Sequence, residues 1–278
     1  MLTVSETLTE AARREPDPST GSGQALAAYY EFHRALLELQ EKARGEITAR
    51  LEIANQESLK VRVPQGLPQL SFAQLPIEAE RFAGLSAAIA QRLRDYYASE
   101  GMGGELPTDM AEWVSLARRR FEEGQANLEQ GGKTATLLAE IAVDQALRPY
   151  LAWAAEQVLP HLDQQQWLRS YCPVCGGSPD FAFLAEESGG ARYLVCSRCN
   201  SQWLYRRLGC PFCDADDRTN TVYYPSEDEV YRLYVCQACR RYLKTMDLRR
   251  TGGRLVRVEV ERVTTVSMDA AARQEGYQ

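Results

Sequence analysis

Histidine is nearly absent from this chain of 278 residues: His33 and His161 are the only two. His33 sits within YYEFHRALL on a helix flank, and His161 follows Pro160 at a helix end. Neither falls in an HExxH or related pattern, so nothing points to histidine-based catalysis or metal ligation. No GxSxG elbow, phosphate-binding loop or dinucleotide-binding glycine pattern is present. No apolar run approaches the roughly 20 residues that a membrane-spanning helix needs. The opening segment MLTVSETLTEAARREPDPSTGSG lacks the apolar core of a secretory signal. The expected location is therefore the cytoplasm, where thiols stay reduced and stable disulfides are rare. Positive charge is not in excess either. The formal net charge is −6, and residues 171–278 carry 15 Lys+Arg against 14 Asp+Glu. The deficit sits in the first 170 residues, which argues against a general nucleic-acid-binding surface.

The chain changes texture once, near Leu168–Tyr171. Residues 1–22 are polar and rich in Pro, Ser and Gly, and are expected to form a flexible N-terminus. Residues 23–168 read as an all-α domain. Apolar positions at helical spacing run from about Gln24 to Asn55, with Leu26, Tyr29, Tyr30, His33, Leu36, Leu37, Ile47 and Leu51 on one stripe. A second helix is expected over Ile77–Glu100. A third starts at Pro107-Thr108-Asp109, with Thr108 as N-cap, and continues to about Gln130. The fourth covers Thr134–Val158, with Pro149 expected to break or kink it. Val63–Pro76 holds three prolines and reads as an extended connector.

Beyond Tyr171 the pattern shortens to β-like runs: ARYLVC, SQWLYRRL, TVYYP, VYRLYVC and RLVRVEVERV. The last alternates Val256, Val258 and Val260 with Arg257, Glu259 and Glu261, the signature of a half-buried strand. The fold class is therefore α+β. A helical domain precedes two four-cysteine modules, expected at residues 169–208 and 209–278.

All eight cysteines fall in four CxxC pairs: Cys172/Cys175, Cys196/Cys199, Cys210/Cys213 and Cys236/Cys239. The stretches between pairs are 20, 10 and 22 residues long. A CxxC turn aims two sulfurs at one ion, and a second turn about 20 residues later completes a tetrahedron. The long intervals each suit one ribbon and the short one a connector. Cys172, Cys175, Cys196 and Cys199 thus form one expected site, and Cys210, Cys213, Cys236 and Cys239 the other. Each ribbon is too short to bury a sufficient core unaided. Structural zinc contributes about 10–16 kcal/mol of apparent binding free energy in comparable peptides. Four thiolates accept zinc or iron, and spacing alone does not choose between them. A dithiol redox motif is a third reading, though its thioredoxin-like context is missing.

Other chemistry-bearing groups have plainer readings. Asp214, Asp216 and Asp217, like Glu227, Asp228 and Glu229, read as solvated loop tips. The basic run through Arg240, Arg241, Lys244, Arg249, Arg250, Arg254 and Arg257 reads first as an exposed hairpin face and second as a partner-binding patch. Trp203, Tyr205, Tyr223 and Tyr224 are expected to pack between ribbons.

Several segments resemble the FdhE family, accessory proteins of formate dehydrogenase biogenesis. They are YCPVCGGSPD (171–180), RYLVCSRCNSQW (192–203), RRLGCPFC (206–213), CQACRRYLK (236–244) and the tail MDAAARQEGY (268–277). The resemblance implies a cytoplasmic, non-enzymatic maturation factor with two rubredoxin-like centres, each holding iron or zinc. The implied partner is the catalytic subunit of formate dehydrogenase, bound before or around export. Self-association is left open, and a membrane partner is not implied. Arg240, Arg241, Lys244 and Trp203 are candidate partner-binding residues. Two alternatives remain beside this reading: a nucleic-acid-binding zinc-ribbon protein and a rubredoxin-like redox protein.

Overall fold

The computed structural model describes residues 21–51, 62–98, 104–126, 138–187, 189–215 and 220–278. Almost all of the expected flexible N-terminus lies outside them, as do the expected helix ends at Asn55, Glu100, Gln130 and Thr134. The chain divides into two compact units. One comprises Met1–Glu52 with Leu70–Ala154, the other Ile53–Gln69 with Ala155–Gln278.

The first unit is helical. Its elements are α1 (Gly21–Gly45), α2 (Ala79–Tyr96), α3 (Met110–Ala126) and α4 (Leu138–Val158), the last continuing from Ala155 into the second unit. Phe82, Ile89 and Leu93 of α2, Trp113, Ala117 and Phe121 of α3, and Ala142 and Val143 of α4 are buried at helical spacing. α1 ends earlier than expected, so Ile47 and Leu51 lie beyond it. Gly45 stands at the break, where its backbone freedom disfavours a further turn. At the start of α3, Asp109 Oδ1 accepts the Glu112 backbone N–H at 2.9 Å. The Thr108 N–H and hydroxyl instead donate to the Glu112 carboxylate at 2.7 and 3.1 Å. Asp109 therefore caps the helix, one residue later than expected.

α4 runs through Pro149 without breaking. A proline cannot serve the carbonyl four residues earlier. Here that carbonyl, Gln145 O, accepts from Gln40 Nε2 of α1 at 3.0 Å. The orphaned acceptor is satisfied by a neighbouring helix, which removes one reason to bend.

The stretch expected to be extended, Val63–Pro76, contains a helical turn at 62–65 and a 3-10 turn at Phe72–Gln74. Its prolines do not prevent this. Pro64 lies in a first turn, where its missing donor is not needed, and Pro68 and Pro76 lie outside both turns.

In the second unit, strands β1 (Pro179–Leu184), β2 (Arg192–Cys196), β3 (Gln202–Tyr205), β4 (Thr221–Pro225), β5 (Tyr231–Cys236) and β6 (Tyr242–Asp247) form one sheet in the order β3-β2-β1-β6-β5-β4. Each ribbon is an antiparallel three-strand meander, and the two are joined by parallel pairing of β1 with β6. The second ribbon repeats the first strand for strand. Pro179 faces Cys196 in one and Thr221 faces Cys236 in the other.

RLVRVEVERV is not a strand. Its second half forms helix α5 (Val258–Thr264), followed by α6 (Val266–Gln274). Three alternating valines do not distinguish a period of 2 from one of 3.6. Val256, Val260 and Val263 also fit helical spacing, and burial selects the helix. Val258 packs on Phe181, Phe183, Val195 and Met246, and Ala272 of α6 packs on Leu233 and Val235. The two helices thus cover one face of the sheet across both ribbons.

Candidate metal centres

The four knuckles share one backbone design. In each, the N–H four residues after the first cysteine donates to that cysteine's carbonyl: Gly176 to Cys172, Asn200 to Cys196, Asp214 to Cys210 and Arg240 to Cys236, at 2.9–3.2 Å. The first cysteine's own N–H donates five residues onward, to Gly177, Ser201, Ala215 and Arg241 respectively. Closing this turn puts the residue after the second cysteine in left-handed conformation. The φ values are 72° at Gly176, 60° at Asn200, 59° at Asp214 and 59° at Arg240. Gly, Asn and Asp adopt it readily, whereas Arg does so at a cost.

The turns bring the sulfurs together as the spacing predicts. In site 1, Cys172 and Cys199 Sγ lie 3.5 Å apart, as do Cys175 and Cys196, and Cys175 and Cys199. In site 2 the Cys210–Cys239 and Cys213–Cys236 separations are 3.6 and 3.7 Å. Within each set all four sulfurs lie within 4.8 Å of one another. A tetrahedral ion with metal–sulfur bonds of about 2.3 Å has sulfurs about 3.8 Å apart. The donor set therefore fits a zinc- or iron-type ion, and each cluster has the residues to hold one.

Polar groups approach three of the sulfurs, while burial opposes charge on others. The Arg198 N–H donates to Cys196 Sγ and the Phe212 N–H to Cys210 Sγ, both at 3.4 Å. The Ser201 hydroxyl lies 2.9 Å from Cys199 Sγ. Burial pushes the Cys172 and Cys199 thiols well up, while hydrogen bonds from Cys172, Cys196 and Cys199 hold Cys175 well below the usual range. Burial likewise pushes Cys210 up; Cys236, despite burial, is held low by the backbone N–H groups of Cys239 and Ala238. The protein's own groups thus ease the Cys175 and Cys236 thiolates, and a bound cation would support all four sulfurs of a cluster.

The two sites differ in access. All four site 1 cysteines are buried, whereas in site 2 Cys213 is exposed and Cys239 half-buried. Site 1 is also enclosed by a segment the spacing argument did not reach. The Gln69 N–H donates to Pro173 O at 3.0 Å, and the Tyr171 hydroxyl to Gly66 O at 2.7 Å. A Cβ at Gly66 would meet Arg169 and Tyr171 at under 3 Å, and its φ is 73°. On the other side a Cβ at Gly177 would meet Cys196 Sγ at 3.0 Å. Arg262 of α5 reaches Asp180, the Asn200 side chain and Cys196 O.

The candidate partner-binding residues are engaged inside this unit. Trp203 is fully buried, its indole N–H donating to Arg169 O at 2.8 Å. Lys244 is buried, paired with Asp269 at 2.6 Å and bonded to Arg262 O at 3.0 Å. Neither reaches the surface. Arg240 and Arg241 are exposed, yet Arg240 stacks on Tyr277 and Arg241 on Phe212. A residue that sequence reasoning missed is Arg192, only 1% exposed and directly opposite Tyr205 in the β2–β3 pair. Burial pulls its guanidinium down to about 10, opposed by Tyr205, Tyr234 and Cys210. The signal available was a charged residue in the otherwise apolar strand RYLVC.

Similarity to known proteins agrees with this geometry. The family model for the FdhE central domain matches residues 171–207, which hold all of site 1. An FdhE homologue from Aquifex aeolicus is 34% identical over 134 residues, covering 47% of this chain and 46% of that protein. One from Pseudomonas aeruginosa is 26% identical over 278 residues, covering 92% of this chain and 82% of that protein. Across the first three relatives the matched region spans about half of their length. The crystal structure of the FdhE protein from Pseudomonas aeruginosa aligns over 99% of this chain and 91% of its own, with a TM-score of 0.57 at 21% identity, a likeness of fold. Over its cysteine-bearing region the chain is thus similar to FdhE family proteins, and it shares the fold of the Pseudomonas aeruginosa structure.

Proposed function

We propose that this protein is a non-enzymatic accessory factor for formate dehydrogenase, binding the catalytic subunit in the cytoplasm before export. The observation that carries the reading is the cysteine-bearing unit itself. Its two four-cysteine clusters can each surround a tetrahedral ion, and an ion held by all four sulfurs would have no ligand position left for a substrate. Such a unit recognises rather than transforms. The more open centre, with Arg240 and Arg241 exposed beside it, is the side proposed to face the client; Trp203 and Lys244, both buried, are proposed to act only through the packing of the unit.

Co-purification of the full chain with the formate dehydrogenase catalytic subunit tests this. A complex that weakens in a folded C213S variant supports it. Absence of any complex at micromolar concentrations rejects it, and retardation of DNA or RNA at low salt would direct attention to the nucleic-acid alternative. A rubredoxin-like redox role is the second reading: were iron bound, the N–H donors to Cys196 and Cys210 Sγ would influence its potential, and they would equally support a zinc thiolate. Elemental analysis with a visible spectrum separates iron from zinc.

A further inference from the structure

We infer that Arg192, a residue of the first ribbon, is the fixed counter-charge of the second metal centre. Four thiolates around a divalent ion leave that centre with two net negative charges, and burial makes uncompensated charge costly. Three other largely buried cations of this unit have carboxylates: Arg232 pairs with Asp247, Lys244 with Asp269 and Arg262 with Asp180. Arg192 has no carboxylate partner among the described residues. One amino group donates to Gly209 O at 2.8 Å, next to Cys210. Its guanidinium lies 5.3 Å from the Tyr205 ring, and its Nε is buried with no hydrogen-bond partner.

A guanidinium in such surroundings needs an anion nearby. The small cleft that Arg192 lines is walled by Cys210, Phe212, Cys236, Arg241 and Leu243. Two of these are site 2 ligands, one from each knuckle. The negative charge that a loaded site 2 would carry and the anion that Arg192 lacks among the described residues thus meet in one place, with Arg192 as its buried cation and Arg241 as an exposed one.

The placement also sets an order. Arg192 opens β2, the strand that ends at the site 1 ligand Cys196. Folding the first ribbon around its own ion is what holds Arg192 against the second centre. Site 2 therefore holds its ion tightly only when the first ribbon is folded. The inference rests on the metal-binding reading of site 2 and is independent of the client.

The test is a Co²⁺ titration of the full chain with chelator competition, following the thiolate-to-cobalt charge-transfer band. The site 2 share of the band is the part lost in C213S. If that share does not exist, the metal-binding reading fails before the question of Arg192 arises. R192Q keeps hydrogen-bond donors but not the charge, and is expected to weaken site 2 by about 10–100-fold while leaving site 1 unchanged. R192K keeps the charge and is expected to lose less than about tenfold, below the range expected for R192Q. Unchanged site 2 affinity in R192Q, or equal losses at both sites, overturns the inference. Should R192Q not fold, R192K decides: retained affinity supports the counter-charge, and a loss beyond tenfold in the folded protein overturns it.

Discussion

The Arg240 guanidinium lies 3.9 Å from the centre of the Tyr277 ring, across 36 intervening positions of the numbering. Arg240 is the knuckle residue in left-handed conformation that is neither Gly, Asn nor Asp. The tail holds it there: Arg240 donates to Glu275 O, and Arg240 O accepts the Gln278 N–H at 2.8 Å. Removing the ring in Y277A is expected to cost about 0.5–1 kcal/mol at this exposed pair. Amide exchange should quicken at Arg240, Tyr242 and Gln278, and a chelator should strip site 2 faster. Y277F, which keeps the ring, should match wild type. Unchanged exchange in Y277A would mean that the tail is held without the stack.

The two centres should fail differently when a ligand is lost. Cys175 is fully buried beneath the 62–69 segment's contacts, while Cys213 is exposed. C175S is expected to unfold the first ribbon locally, because structural zinc contributes about 10–16 kcal/mol in such modules. Limited proteolysis should then cut after Ser170. C213S should leave that segment resistant and lose only its own ion. Equal protease patterns in the two variants would show that the centres stand or fall together.

What the sequence revealed followed the range of each interaction. Ligand pairing was legible because a CxxC turn is local and its chemistry admits few partners. β1 and β6 were not, since PDFAFL and YLKTMD are covered on both faces and lose the alternation that marks a strand. The parallel join between them has no local trace at all. α5 was misread for a related reason: the pattern from Val256 to Val260 fits two periods, and only the sheet beneath it decides. Arg192 and the 62–69 clasp act across the fold, so their partners could not be named from spacing.

Asp247 gives the sheet a measurable acid dependence. It is fully buried between Arg249, at 2.6 Å, and Arg232, at 2.7 Å. The Arg249 guanidinium, and then Arg232, hold its carboxyl below the usual range despite burial. A depressed folded pKa stabilises above the unfolded value of about 3.9 and is lost as pH falls through the folded one. D247N should cost on the order of 2–3 kcal/mol at pH 7, less than for a fully buried pair because Arg249 is about one-third exposed. The gap between variant and wild type in urea unfolding should narrow below about pH 4, compared at matched metal content. A gap that stays constant across that range would assign the effect to packing.

Gln40 and Pro149 form the sharpest test within the helical unit. Gln40 is buried, and its Nε2 donates both to Gln145 O, at 3.0 Å, and to Gln145 Oε1, at 3.1 Å. Q40A leaves the carbonyl that Pro149 cannot serve without a partner, a loss of about 1–3 kcal/mol. P149A restores the backbone donor that proline removed, so in the Q40A background it should recover part of the loss. In the wild-type background the same change should give less, because the acceptor is already satisfied. Urea unfolding of the four proteins gives the coupling between the positions, expected at about 0.5–1.5 kcal/mol for residues sharing one acceptor. Strictly additive effects would show that the carbonyl finds another donor when Gln40 is lost.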